Sequence, residues 1–290
     1  MHGTVFPPLE IGEVLSTGHF LLILSAIFLI LAALNRLLPH IVNNSLMKGL
    51  AVLGGIIVSW ELISFYEVVN PVLLPPPSRV VSLMVHLWSI GFLQTQIYST
   101  VYKITYAFTL ALVSGVTIGI MISYFSNTFS FLESFLNAIR VVPAPAWLAL
   151  AILWFGIGHA SAIFIIWLGI FFPILLSTVA GVAKVEQVQI ETVLTFGGDK
   201  YDVLLEVILP VIYHHVLTGA RIGIGIGWIT VVTAELVSVS ANSGLGWMIN
   251  DSRILLDITT VMVGMFFIGF LGIVSDAIIN QFEELVPGWD

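Results

Sequence analysis

Cysteine is absent from this chain of 290 residues, and charge is scarce, with Lys, Arg, Asp and Glu together making up 9%. The first absence excludes disulfides and thiolate chemistry, whether nucleophilic or metal-binding. The second excludes an ordinary soluble domain, in which about a quarter of the residues carry charge. A basic face for nucleic acid is missing as well, because 9 Lys and Arg stand against 17 Asp and Glu, a formal net charge of −8. No G-x-x-x-x-G-K-[ST] run occurs, so the chain has no loop of its own to cradle nucleotide phosphates. His214 and His215 are adjacent, about 100° apart around a helix, with no carboxylate at a useful offset, so no metal site is predicted. Nor does any cluster of His and Asp suggest a membrane enzyme.

What is present in excess is apolar sequence: hydrophobic residues make up 58% and the mean hydropathy is +1.07. With about 20 residues needed per crossing, the chain reads as an all-α polytopic membrane protein of six or seven transmembrane helices. Met1–Leu15 contains Glu10 and Glu13 but no Lys or Arg, so Phe20–Leu34 is read as a retained first span rather than a signal peptide. Six spans is the count if that segment is interfacial. The second span is predicted over Leu50–Phe65, and the proline run Pro75–Pro77 then leads into a surface helix capped by Ser78. The third span follows Lys103, over Ile104–Tyr124. The fourth and fifth share Val141–Ala183, divided at the turn Gly156–His159. Leu217–Val239 and Thr259–Asn280 supply the last two.

Lys and Arg set the expected orientation. Arg36, Lys48, Lys184, Lys200 and Arg221 fall on one side of the predicted topology and Arg79, Lys103 and Arg253 on the other, which makes the first side cytoplasmic. The C-terminus is then cytoplasmic, and so is the polar, glycine-broken segment Glu191–Pro210. That segment is too long and too charged to lie in lipid, so it should be bound by something in water.

Glycines recur every four residues at Gly219, Gly223 and Gly227, and again at Gly115 and Gly119, a pattern that lets helix backbones approach closely. The same glycines are not a nucleotide loop, because no strand precedes them. Pro143 and Pro145 break a helix within an apolar stretch, freeing carbonyls that must face protein or a water-filled cavity. With Arg140 they form a candidate gate, where the cation would attract an anion or would equally well snorkel or pair. Glu61, Arg221 and Glu235 are the other charges inside apolar runs. Glu235 is a poor ligand for an anion and is expected to pair structurally. Trp154 and Trp167 could stack on a substrate or simply pack.

Glu191-Thr192-Val193, then Gly197, then nine residues to Val207-Ile208-Leu209-Pro210, resemble the E-A-A-x-x-x-G-x9-I-x-L-P loop of ABC-importer permeases, with Thr192 and Val193 in place of the alanines. The runs R-V-V-P-A-P-A-W at Arg140–Trp147, I-L-W-F-G-I-G at Ile152–Gly158 and F-P-I-L-L-S-T-V-A-G-V at Phe172–Val182 are similar to signatures of the nitrate/sulfonate/taurine/bicarbonate permeases. Leu74–Ser78, Thr218–Arg221, Trp228, Ala234–Leu236 and Gly244–Gly246 extend the resemblance.

The resemblance covers about Leu74–Asn280 and implies a type I ABC importer permease; residues 1–90 are read as N-terminal spans and an external amphipathic segment, the first span being an addition to the family's usual core. The transmembrane domain would cover 94–282, including a cytoplasmic coupling-helix loop over 184–216. It further implies coupling to an ATPase through Glu191, Thr192, Gly197, Gly198, Leu209 and Pro210, and a pathway near Arg140, Pro143, Pro145, Trp154 and Glu235. No cofactor would be bound by this chain, ATP and Mg being held by two separate ATPase subunits. A second permease copy and an extracytoplasmic substrate-binding protein are the other implied partners, in the cell membrane of a prokaryote. A stand-alone secondary transporter or channel is the alternative, which repeated halves or ion-coupling charges would favour; no internal repeat is found.

Overall fold

The structure, a computed structural model, describes residues 44–124, 135–136, 138–237 and 243–284. The predicted first span, Phe20–Leu34, lies outside them, and so do the C-terminal residues. The described elements are all helical, with no strand among them. In chain order they are α1 (Asn44–Phe65), α2 (Pro77–Ser89), α3 (Phe92–Tyr124), a 3-10 turn (Ala144–Trp147), α4 (Leu148–Phe155) and α5 (His159–Val182). There follow α6 (Gln187–Thr195), α7 (Lys200–Val203), a π-helical turn (Leu204–Ile208), α8 (Leu209–Val237), α9 (Leu245–Ile254) and α10 (Ile258–Glu284). Among the described residues four helical stretches are long and apolar enough to cross a membrane: Phe92–Ser123, His159–Val182, Lys200–Leu236 and Ile258–Glu283.

Several boundaries differ from the sequence reading. The predicted fourth span contains only a short apolar helix, Ala144–Phe155, because Pro143 and Pro145 force an extended residue and a 3-10 turn before α4 can begin. Gly156, with φ of 76°, ends α4 where the turn was expected. Lys103 is no loop residue: it lies inside α3 and is fully buried. Arg221 likewise lies within α8. Both leave the tally of loop cations on which the orientation was counted.

Packing divides the described residues into two units, those within 44–94 and 248–265 and those within 95–247 and 266–284. In the first, Glu61 of α1 is buried, and its carboxylate accepts hydrogen bonds from Ser78 N at 3.1 Å and Ser78 Oγ at 2.7 Å. The first turn of a helix has free N–H groups and a positive dipole end, which a carboxylate satisfies. Ser78 is therefore not the cap of α2. Pro76 is, Pro77 opens the helix, and the serine is a buried donor to a glutamate 17 positions back. Ser64 Oγ donates to Leu74 O at 2.8 Å, tying down the connection between α1 and α2.

The second unit is built around α5, whose residues are buried along most of its length. Helices α3 and α8 both reach it through glycines. A Cβ added at Gly219 would stand 2.7 Å from Ser177 Cβ and 2.9 Å from the Pro173 carbonyl oxygen. At Gly223 it would lie 3.1 Å from the Ile170 carbonyl oxygen, and at Gly227 2.8 Å from Ile170 Cδ1. On α3, Gly115 faces Ile174 at 3.0 Å and Gly119 faces Thr178 at 2.8 Å. Lipid gives helices no hydrophobic reason to associate, so close backbone approach and its dispersion contacts hold such a bundle together. The later part of α10 joins α8 through Trp228 Nε1 donating to Ser275 Oγ at 3.2 Å and through the Arg221–Asp276 pair at 2.9 Å.

One ion pair in this unit is wholly buried. Lys103 Nζ lies 2.8 Å from Glu235 Oε1, with both side chains at 0% exposure. The ammonium also donates to the Ser243 carbonyl at 2.8 Å, and the carboxylate accepts from Thr100 Oγ1 at 2.9 Å and Gly246 N at 2.7 Å. Leu245 N donates to Thr100 Oγ1 at 2.8 Å, and Gly244 N to Gln96 Oε1 at 2.7 Å. Gly244, at φ of 126°, and Gly246 lie so close to Glu235 that neither has room for a side chain.

Two outcomes follow from this packing. Lys103→Met or Glu235→Met alone should lower stability by about 3–5 kcal/mol, because the partner is left as a buried lone charge, whereas the double substitution should recover most of the loss; thermal melting of the purified protein in nanodiscs measures both. Gly219→Val should prevent recovery of folded protein, while Gly225→Ala, where nothing lies within 4 Å, should be recovered at the wild-type level by size-exclusion chromatography.

Candidate functional site

The polar segment between α5 and α8 folds into a small knob. Helix α6 begins at Glu186, whose N–H donates to Gln189 Oε1 at 3.3 Å. It ends at Phe196, followed by Gly197 at φ of 91°, a conformation that favours glycine. Gly198 is constrained by space instead, since a Cβ there would stand 2.6 Å from Val193 Cγ1. Asp199 then caps α7: its carboxylate accepts from Tyr201 N at 2.7 Å and Asp202 N at 3.0 Å, while Asp202 accepts from Asp199 N at 2.8 Å. Beneath the turn, Val203, Ile208 and Ile212 are buried against Val182, Val185, Ile190 and Val193. The knob is thus a capped, cored element rather than a loose connection.

Pro210 lies inside its helix and does not stop it. A π-helical turn over Leu204–Ile208 precedes it, shifting the hydrogen-bond ladder where proline has no N–H to give, and α7 continues into α8 as one helical stretch, Lys200–Leu236. Glu191, Thr192, Gly197, Leu209 and Pro210 are exposed, and Gly198 is half-buried. A cleft of about 520 Å³ opens between α6 and the start of α8, lined by Gln189, Thr192, Glu206, Pro210 and His214 among others.

A second concavity, of about 660 Å³, is walled by the Arg140–Pro145 segment, by α5 from Leu168 to Ser177 and by α8 from Ile222 to Thr230. Among the described residues Arg140 is the only charged one on its walls, which are otherwise apolar apart from Ser177 and Thr230. Arg140, Pro143 and Pro145 therefore share one groove. Trp154 lies elsewhere, exposed and edge-on to Phe164 at 5.9 Å. Trp167 is used for packing, its Nε1 donating to Ser114 Oγ at 3.1 Å. Both oxygens of Glu235 are engaged by protein donors.

Lys103, Thr100 and Gln96 were not singled out from the sequence. The signal was available, because Glu235 was a carboxylate in an apolar run with no cation assigned to it, and such charges pair. Phe196, 88% exposed at the tip of the knob, carried no sequence signal beyond its place before Gly197. Among the described residues no group of His, Asp and Glu could hold a metal ion.

Comparison with known proteins agrees with this architecture. Residues 108–286 match the family model described as "Binding-protein-dependent transport system inner membrane component". A putative ABC transporter permease protein of Methanocaldococcus jannaschii is 35% identical over 237 residues, which is 80% of this chain and 88% of that protein. The taurine transport system permease protein TauC of Escherichia coli is 31% identical over 252 residues, 85% of this chain and 91% of the relative. A nitrate import permease protein, NrtB of Synechocystis sp., is 29% identical over 152 residues, 52% of this chain and 54% of the relative. The chain therefore belongs to the family of binding-protein-dependent inner-membrane transport components, the ABC transporter permeases.

Proposed function

We propose that this chain is the transmembrane permease subunit of an ATP-driven importer that moves a small anion, nitrate-, sulfonate/taurine- or bicarbonate-like, inward by alternating access. The observation that carries the reading is the capped knob Gln187–Ile208, which projects exposed apolar and acidic side chains while its own core holds it rigid. In this reading the knob faces the cytoplasm and docks on an ATPase subunit that holds the ATP and Mg. Glu191, Thr192, Gly197, Gly198, Leu209 and Pro210 are the coupling residues. Two copies of the chain pair in the membrane, each knob engaging one ATPase, and an extracytoplasmic protein delivers the substrate.

The mechanism is a two-state equilibrium. ATP binding draws the docked ATPases together, the knobs move with them, and the helices pass from inward-open to outward-open; hydrolysis reverses the change. The groove along Arg140 and α8 is the pathway wall, where one guanidinium among apolar residues favours an anion over a cation. Support for the substrate class comes from that lone charge and from relatives named for taurine and nitrate.

Reconstitution into proteoliposomes with the ATPase and binding protein tests the reading. Uptake of labelled taurine, nitrate or bicarbonate should require ATP, and uptake that persists without the ATPase would put a stand-alone transporter in its place. Gly197→Val, which places a branched side chain at φ of 91°, should lower uptake at least about tenfold while membrane insertion and dimerisation persist, a strain of about 1–3 kcal/mol at the turn being enough. Arg140→Gln should reduce anion uptake about tenfold or more, with Arg140→Lys retaining part of it.

A further inference from the structure

The knob also says what kind of surface must receive it. Resting on the reading of this loop as the ATPase docking element, we propose that it is received by an apolar pocket for Phe196 set in a rim of Arg and Lys. Phe196 stands 88% exposed at the end of α6, and Leu194 and Tyr201 beside it in sequence are exposed too. An aromatic so placed, on a turn held by Gly197 and the Asp199 cap, is a preorganised anchor that loses little side-chain freedom on docking.

Around it the charge is one-sided. Residues 184–206 carry five carboxylates, Glu186, Glu191, Asp199, Asp202 and Glu206, against two lysines, Lys184 and Lys200. Asp199 and Asp202 are spent on capping the local backbone. Glu191 and Glu206 are exposed, and among the described residues neither is in an ion pair. Glu206 also lines the 520 Å³ cleft with Gln189 and Thr192, a set of oxygens that suits a guanidinium or ammonium head. The same charge disfavours other occupants: the anionic cytoplasmic face of a bilayer would repel the knob, and so would the knob of a second copy.

The test uses the full-length permease co-purified with its ATPase in nanodiscs, with affinity followed by dissociation of labelled ATPase at roughly 50 mM and 300 mM NaCl. Wild type should lose about tenfold or more in affinity across that range. Glu191→Gln with Glu206→Gln should bind more weakly at low salt and flatten most of that dependence. Phe196→Ala should weaken binding about tenfold with the salt dependence retained, and Phe196→Leu should recover part of it. A complex that forms but is indifferent to salt, or tighter binding by the glutamine variant, would overturn the basic rim and leave the coupling reading standing. Unaltered binding by Phe196→Ala would overturn the anchor. If no ATPase associates with the wild-type chain at any salt, the proposed function fails with it.

Discussion

The close approach of α3 and α8 to α5 is the contact on which the second unit depends. In lipid the hydrocarbon around a helix is as apolar as the helix itself, so two helices gain by meeting only where their atoms fit more closely than acyl chains would. Five glycines, Gly115, Gly119, Gly219, Gly223 and Gly227, remove the side chains that would keep the backbones apart. The buried row of α5 from Ala162 to Thr178 is what they approach. The groove beside Arg140 inherits its shape from this packing, since its walls are the neighbouring faces of the same two helices, α5 and α8.

The Lys103–Glu235 pair within the apolar body obeys a complementary rule, its hydrogen-bonding capacity being met by other parts of the protein. Lys103 and Glu235 neutralise one another, and their remaining capacity is taken up by Thr100, the Ser243 carbonyl and the Gly246 amide. Charge-assisted bonds in a medium of low dielectric are strong when complete and costly when broken, so such a network fixes the local geometry narrowly. It ties residues of α3 to the backbone at Ser243–Gly246, more than a hundred positions away.

Much of the fold was legible because the membrane imposes a simple code. Long uncharged runs mark helices, and repeated glycines mark where those helices touch. The code is blind to pairing across the chain. Lys103 looked like the end of a span because a lone cation should not enter lipid, and only the position of Glu235 in space shows that it was never alone. Ser78 looked like a cap for the corresponding reason, since a serine after prolines before an apolar stretch has the right local chemistry; the carboxylate of Glu61, folded back on it, took its donors instead. The knob was readable as a broken polar segment, but the exposure of Phe196 and the cleft beside Glu206 depend on how α6 folds over the start of α8. The π-helical turn was invisible as well, because Pro210 reads locally as a stop and the widening that accommodates it leaves no compositional trace.

That π-helical turn makes a single rod of what would otherwise be two elements. Lys200 and Ile226 lie on the same continuous helical stretch, Lys200–Leu236, and at 1.5 Å per residue they are about 39 Å apart. On the proposed function the knob is then the handle of a lever whose other arm is a wall of the groove. With its fulcrum at Gly223, among the glycines that bear on α5 and about 35 Å from Lys200, a displacement of about 4 Å at the handle corresponds to a rotation of only about 7°, small enough for tightly packed helices to slide rather than separate. A break at Pro210 would have left a joint in the lever, and motion at the knob end would have been absorbed there.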